Sequence, residues 1–148
     1  MKTLSFNKRA GFDYEILEKF EAGLALLGHE VKSVKTGHIS LKESFVTIHG
    51  EELYLTNANI PRYSQAGQLK TYDPTRPRKL LLRKAEIKKL IGKSRTLGLT
   101  LVPIRVYTKK RLLKLEFGLG KGKRKIDKRD KIQKRETDRR IQRAFRNK

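Results

Sequence analysis

Cysteine is absent from the 148 residues, so no disulfide or thiolate metal site holds the chain together. Acidic residues are scarce: 15 Asp and Glu stand against 37 Lys and Arg, for a formal net charge of +22. Long apolar runs are also missing. The opening Met1-Lys2-Thr3-Leu4-Ser5-Phe6-Asn7-Lys8-Arg9 holds no apolar stretch of signal-peptide or membrane-span length, which predicts a cytoplasmic protein with no membrane partner. His29, His38 and His49 share no metal-ligand spacing and no nucleophile has an evident partner, so neither catalysis, a metal nor a cofactor is expected. Glu51 and Glu52 fall at a predicted turn and read as solvated side chains rather than an acid–base pair.

What the chain does have is positive charge, and that charge is concentrated. Residues 121–148 carry 14 Lys and Arg against 4 Asp and Glu, a net +10, which leaves +12 on residues 1–120. Such charge repels itself until phosphates neutralise it, a process that releases counterions and makes binding steeply salt-dependent. A nucleic-acid partner is therefore expected, because solubility alone is served by charge of either sign and needs no concentration at one end. The tail's apolar residues, Ile126, Ile132, Ile141, Ala144 and Phe145, are too few to repay the entropy of ordering, and they lack the apolar face of an interfacial helix. Acid-before-base pairs at i, i+4 (Asp127/Lys131, Asp130/Lys134, Glu136/Arg140) nevertheless suit a helix that forms on a polyanion. The expected organisation is a folded domain over residues 1–120 and a basic tail over 121–148, disordered when free.

Within the domain, apolar residues at alternate positions from Tyr14 to Leu26 predict a strand, with Gly23 at a bulge or bend. Val31 and Val34 suit a short helix over 29–36 that leaves Lys32 and Lys35 outward. Residues 45–48 and 53–57 form a predicted hairpin. The three prolines of 61–79 mark a long excursion ending in Arg76-Pro77-Arg78-Lys79, of the kind that is often functional. Ile87, Leu90, Ile91, Ser94 and Leu97 form a helical stripe over 85–97, stopped by Gly98. Residues 99–107 and 112–119 predict a second hairpin with a basic tip, and Pro103 marks an edge or bulge. Gly118-Leu119-Gly120-Lys121-Gly122-Lys123 lacks the spacing of a phosphate loop and reads as a flexible hinge. The fold class is mainly β: a small antiparallel β-barrel with oligonucleotide-binding-like topology, two to three short helices and the basic tail.

Five segments, in order along the chain, resemble the bacterial small protein B family, which binds transfer-messenger RNA (tmRNA) in ribosome rescue. They are Asn7-Lys8-Arg9-Ala10 with Tyr14; Phe20-Glu21-Ala22-Gly23-Leu24-Ala25-Leu26; Gly28-His29-Glu30-Val31-Lys32-Ser33; Asp73-Pro74-Thr75-Arg76 with Arg78-Lys79-Leu80-Leu81-Leu82; and Gly120-Lys121-Gly122-Lys123 with Asp127-Lys128-Arg129. The resemblance covers most of the chain and implies an RNA-binding adaptor, not an enzyme. Such an adaptor holds the tRNA-like domain of tmRNA and delivers it to stalled ribosomes for trans-translation. The resemblance implies RNA-binding roles for Asn7, Glu21 and Leu81, and Lys8, Arg9, Lys32 and Lys35 join them as candidate contacts.

In the tail the resemblance places Asp127, Lys128 and Arg129 at the decoding centre of the ribosome, against 16S rRNA. Lys123, Lys131, Lys134 and Arg135 extend that basic track toward an empty mRNA channel. Elongation factor Tu, reached through the RNA complex, is a further expected partner, and the chain is expected to be a monomer. The sequence departs from the family pattern at Ile126, where His or Tyr is frequent, and at Tyr107-Thr108-Lys109, which stands for Tyr-Trp-Lys. A carboxylate at position 21 can accept from a base amine or a 2′-hydroxyl; from the residues alone, it reads instead as a surface ion pair with Lys19 or another base. A constitutive ribosomal protein would share the charge but not the ordered motifs, and a nuclease would need a catalytic constellation.

Overall fold

The computed structural model describes residues 1–63 and 71–123. Strand β1 (Lys2–Phe6) and helix α1 (Lys8–Asp13) lead into β2 (Tyr14–Leu24) and α2 (Gly28–Lys35). A hairpin of β3 (Phe45–His49) and β4 (Glu52–Thr56) follows, then β5 (Arg78–Leu81), α3 (Lys84–Leu97), and a hairpin of β6 (Thr100–Lys109) and β7 (Leu112–Gly122). All pairings are antiparallel, in the order β1-β6-β7-β2-β5-β4-β3. The sheet curls so that β3 packs against β6, but no ladder joins the edge strands β1 and β3 among the described residues. The barrel is thus partly open.

The alternating pattern of residues 14–26 does form a strand, but its irregularity lies elsewhere than expected. The register of β2 against β7 shifts between Ile16 and Glu18, whereas Gly23 pairs regularly with Lys114 on one side and Leu81 on the other. A Cβ on Gly23 would lie 3.2 Å from the Leu81 Cβ, so close approach of β5, rather than a bulge, explains that glycine. The Gly118–Lys123 run is likewise no hinge: Gly118, Gly120 and Gly122 belong to β7 and pair with β2. At Gly118 a Cβ would meet Ile16 Cγ2 at 2.7 Å and the Glu18 carbonyl oxygen at 2.9 Å, where the β2 bulge presses against β7.

Pro103 sits at a bulge, since the β6–β7 register shifts between Pro103 and Arg105, and β6 is an interior strand. The second hairpin closes with two residues, Lys110 and Arg111, both at positive φ (49° and 66°). That is the sign pattern of a type I′ turn, whose twist suits antiparallel strands.

Helix α3 lays Ile87 and Leu90 into the core and ends at Gly98, whose φ of 61° places it in the left-handed region. Leu97, counted above on the apolar stripe, is instead 63% exposed. Helix α2 buries Glu30, Ser33 and Val34 and leaves Lys32 and Lys35 in solvent. At its start the Leu27 N–H donates to Glu30 Oε1 at 2.8 Å, the return half of a capping box. The main core joins Val34, Leu41, Leu53, Leu55, Leu80, Leu90, Leu115 and Phe117 inside the barrel. A smaller cluster of Ala10, Val102 and Ile104, with Tyr14 and Ile16 against it, fixes α1 on the sheet.

Candidate nucleic-acid interface

Three neighbouring strands build a polar patch on the barrel's outer surface around Glu21. Glu21 of β2 pairs with Glu116 of β7, which pairs in turn with Arg105 of β6. The buried Tyr107 of β6 donates its hydroxyl to Glu21 Oε2, and Lys109 Nζ lies 3.5 Å from the same oxygen. The base expected beside Glu21 is therefore Lys109 rather than Lys19. The Tyr107 hydrogen bond lowers the pKa of Glu21 against a smaller opposing effect of burial, and Lys109 and Lys114 lower it further. Burial, then the hydrogen bond and charge of Glu21, raise that of the Tyr107 hydroxyl. Arg105 lies 4.5 Å over the Tyr107 ring and engages both oxygens of Glu116 at 3.4 Å. Glu21 is thus an ionised acceptor, held in place yet still partly open to solvent.

Leu81, paired with Gly23, stands 52% exposed as an apolar ridge between two depressions. The first, of about 480 Å³, is lined by Glu21 and Leu81 together with Lys79, Arg83, Lys84 and Lys114, and also by Glu86 and by Glu52, which pairs with Lys79 at 3.6 Å. The second, of about 340 Å³, lies between Leu81, Lys35, Arg111, Leu112 and Lys114. An apolar ridge can support a base face, a carboxylate can accept from a base edge or 2′-hydroxyl, and the surrounding cations suit phosphates. Sequence reasoning reached Arg111 only as part of a basic hairpin tip, and did not place Lys79, Arg83, Lys84, Leu112 or Lys114 here. Their assembly depends on β5, which a proline-rich stretch concealed. Lys32 stands apart from both depressions, 6.0 Å over the Tyr63 ring.

Asn7, Lys8 and Arg9 lie at a different place. Asn7 is 9% exposed, with Nδ2 donating to the Pro103 carbonyl at 2.9 Å and its backbone N–H to the Ile104 carbonyl at 2.7 Å. It serves carbonyl groups at the β6 bulge and so anchors the start of α1 to the sheet. Lys8 and Arg9 are exposed, and Arg9 reaches Asp13 at 3.4 Å. A cavity of about 280 Å³, lined among others by Asn7, Arg9, Lys42 and Phe45, shares no lining residue with the depressions at Leu81. Lys123 is tied to the same end: its N–H donates to the Asp13 carbonyl at 2.9 Å and its Nζ to the Gly11 carbonyl at 2.8 Å. Asp127, Lys128, Arg129, Lys131, Lys134 and Arg135, with the three i, i+4 pairs, lie outside the described residues.

In the basic run at the end of the 61–79 excursion the two arginines turn toward Glu30, while Lys79 stays exposed. Arg78 is fully buried and places Nε and Nη2 at 2.9 and 2.6 Å from Glu30 Oε2, while its Nη1 donates to the Ala58 carbonyl. Arg76 pairs with Glu30 Oε1, and the Tyr72 hydroxyl donates to Glu30 Oε2 at 3.0 Å. Burial pushes the Glu30 pKa up, but hydrogen bonds from Arg76, the Leu27 N–H and Arg78 outweigh it and lower the value to about 2. These arginines clasp α2 to the excursion, and Arg78, fully buried, is unavailable to phosphate. Nothing in the local sequence marks a pairing across 48 residues.

Among the described residues no group of three or more His, Cys, Asp or Glu is placed to hold a metal ion, and no helix is long and apolar enough to cross a membrane. The family model of the SmpB protein matches residues 4–147. The chain is 47% identical to the SsrA-binding protein of Acaryochloris marina, over 97% of this chain and 94% of that one. With the SsrA-binding protein of Carboxydothermus hydrogenoformans it shares 48% identity, over 98% and 97%. A solved chain described under "tmRNA-SmpB: a journey to the center of the bacterial ribosome" is 44% identical, superposes with a TM-score of 0.66, and is matched over 86% of this chain and 92% of its own. With the barrel, the order of its motifs and a match over nearly its whole length, the chain belongs to the SmpB protein family.

Proposed function

We propose that this protein is a non-enzymatic adaptor that binds the tRNA-like domain of tmRNA on its barrel and delivers it to stalled ribosomes in the cytoplasm for trans-translation. The observation that carries this function is the convergence of Glu21, Leu81 and Lys35 on two adjoining depressions rimmed by Lys79, Lys114 and Arg111. Folded RNA offers base edges, base faces, 2′-hydroxyls and phosphates together, and this surface has a complementary group for each. Family membership supports the assignment, as do relatives named SsrA-binding protein. In this scheme Glu21 and Leu81 meet a loop nucleotide, and Lys35, Lys114 and Arg111 hold the flanking backbone. Asn7 acts indirectly by fixing α1, which presents Lys8 and Arg9.

The division of labour along the chain belongs to the same proposal. Residues 1–120 bind the RNA. The tail, 121–148, acts at the decoding centre through Asp127, Lys128 and Arg129, and in the mRNA channel through Lys131, Lys134 and Arg135. An mRNA already in that channel would exclude it, so the device selects ribosomes whose message has ended.

Sequencing the RNA that co-purifies with the protein tests the assignment. One dominant tRNA-like species is expected; ribosomal RNA alone, at fixed stoichiometry, would overturn it in favour of a constitutive ribosomal protein. A chain ending at Lys123 retains all of β7 and the bond to Asp13. It should bind the tRNA-like RNA nearly as well as the full chain and fail to support tagging on stalled ribosomes. Full tagging by that chain would remove the tail from the mechanism.

A further inference from the structure

Glu21 is not a freely rotating surface carboxylate. Each carboxylate oxygen has about two acceptor sites, and on Oε2 both are engaged: one by the Tyr107 hydroxyl, the other by Lys109 Nζ at 3.5 Å. Oε1 has no hydrogen bond among the described residues. Tyr107 is itself immobilised, being 2% exposed, covered by Arg105 at 4.5 Å and set in the β6–β7 ladder opposite Lys114. Its hydroxyl therefore has one place to donate.

Resting on the proposed tmRNA binding at Glu21, we propose that Tyr107 is a positioning residue for RNA recognition. By holding Oε2 it presents Oε1 alone to the depression beside Leu81. The site then takes a single donor group, the exocyclic amine of adenine or cytosine or a 2′-hydroxyl, and not guanine, whose paired N1–H and N2–H donors would need both oxygens. The opposed pKa shifts agree with this arrangement, since they keep the phenol protonated and the carboxylate ionised at neutral pH.

The test compares Tyr107→Phe and Glu21→Ala in the full chain, with a transcript of the tRNA-like domain of tmRNA as probe. Tyr107→Phe keeps the ring and the Arg105 contact and removes only the donor. Its affinity should fall roughly tenfold, the loss expected for one hydrogen bond to a charged group. The Glu21 carboxyl resonance should titrate at higher pH than in the parent, although Lys109, Lys114, Arg105 and Glu116 still face it. That shift reports loss of the Tyr107–Glu21 bond itself, and the affinity reports whether the bond serves RNA. Replacing loop guanosines of the transcript by inosine, which lacks the second donor, should leave parent affinity within about twofold; a tenfold loss would overturn single-donor recognition. If Glu21→Ala binds as tightly as the parent, the RNA site at Glu21 itself fails. If Glu21→Ala weakens binding while Tyr107→Phe leaves the affinity unchanged, whether or not the titration moves, only the positioning role falls.

Discussion

Glu30 and Glu21 are both carboxylates gripped by cations and a tyrosine, yet one is sealed and the other accessible. Glu30 is fully buried, engaged by Arg76, Arg78, Tyr72 and the Leu27 N–H. Glu21 has one oxygen engaged from the barrel side and the other open. A buried acid with all its acceptors satisfied joins α2 to the long excursion and can do nothing further. A half-satisfied acid at the surface contributes less to folding but can bind. The number of acceptor sites left open, more than the presence of charge, separates a structural carboxylate from a recognition one.

The largest effect should come from the sealed side. Glu30→Gln leaves Arg78 as a buried charge without its counter-ion and should cost about 3–5 kcal/mol of stability in urea unfolding. RNA affinity of the molecules that remain folded should stay within about twofold; loss of binding with an intact fold would erase the distinction between the two acids. Acid should act on the same group. The Glu30 pKa is lowered to about 2, so its stabilisation is complete above the ordinary carboxylate range and is lost as pH falls from roughly 4.5 toward 2. That loss should reach on the order of 3 kcal/mol and should be largely missing in Glu30→Gln.

On the open side, Glu21→Ala should weaken RNA binding by about 1.5–3 kcal/mol and lower stability by about 1–2 kcal/mol, less than Glu30→Gln, because the buried Tyr107 hydroxyl loses its acceptor. Simple attraction predicts the reverse, because the variant is more basic; unchanged or tighter binding with the fold intact would refute the role of Glu21. The smallest effect should be Lys8→Ala, on exposed α1 away from the Leu81 depressions. It should lower the salt slope by about one and the affinity only slightly. A loss as large as that of Glu21→Ala would move the main RNA site to α1.

Elements that repeat a period over many residues are legible in the sequence: β2, both hairpins, and α3 with its Gly98 stop. Those that escape it are short or masked by composition. Strand β1 has five residues and α1 six, too few for a period to emerge without a turn like the one that marks the equally short β3 and β4, and β5 has four, hidden in a run that Pro77 and the arginines make look like loop. The chain alone marks Lys35 as outward, but only family resemblance singles out Glu21 and Leu81. Their shared depression follows from the β2–β5 pairing at Gly23, a contact between residues 58 apart in sequence. Tyr107 reads as one more apolar strand residue, since a hydroxyl's partner across a neighbouring strand leaves no local trace.

The clamp of Lys123 onto Asp13 and Gly11 has a metric consequence. It turns the end of β7 into a fixed origin from which every later residue has a calculable maximum reach. At about 3.4 Å per extended residue, Asp127 can lie no farther than roughly 14 Å from that origin, and Lys148 no farther than roughly 85 Å. Wherever the barrel is docked, Asp127 must lie within a small sphere at its rim, while the limit for Lys148 encloses a volume roughly two hundred times larger. Position along the chain after Lys123 is therefore a yardstick: inserting or deleting residues between Lys123 and Asp127 changes the farthest point the triplet can reach without altering a single contact of the barrel.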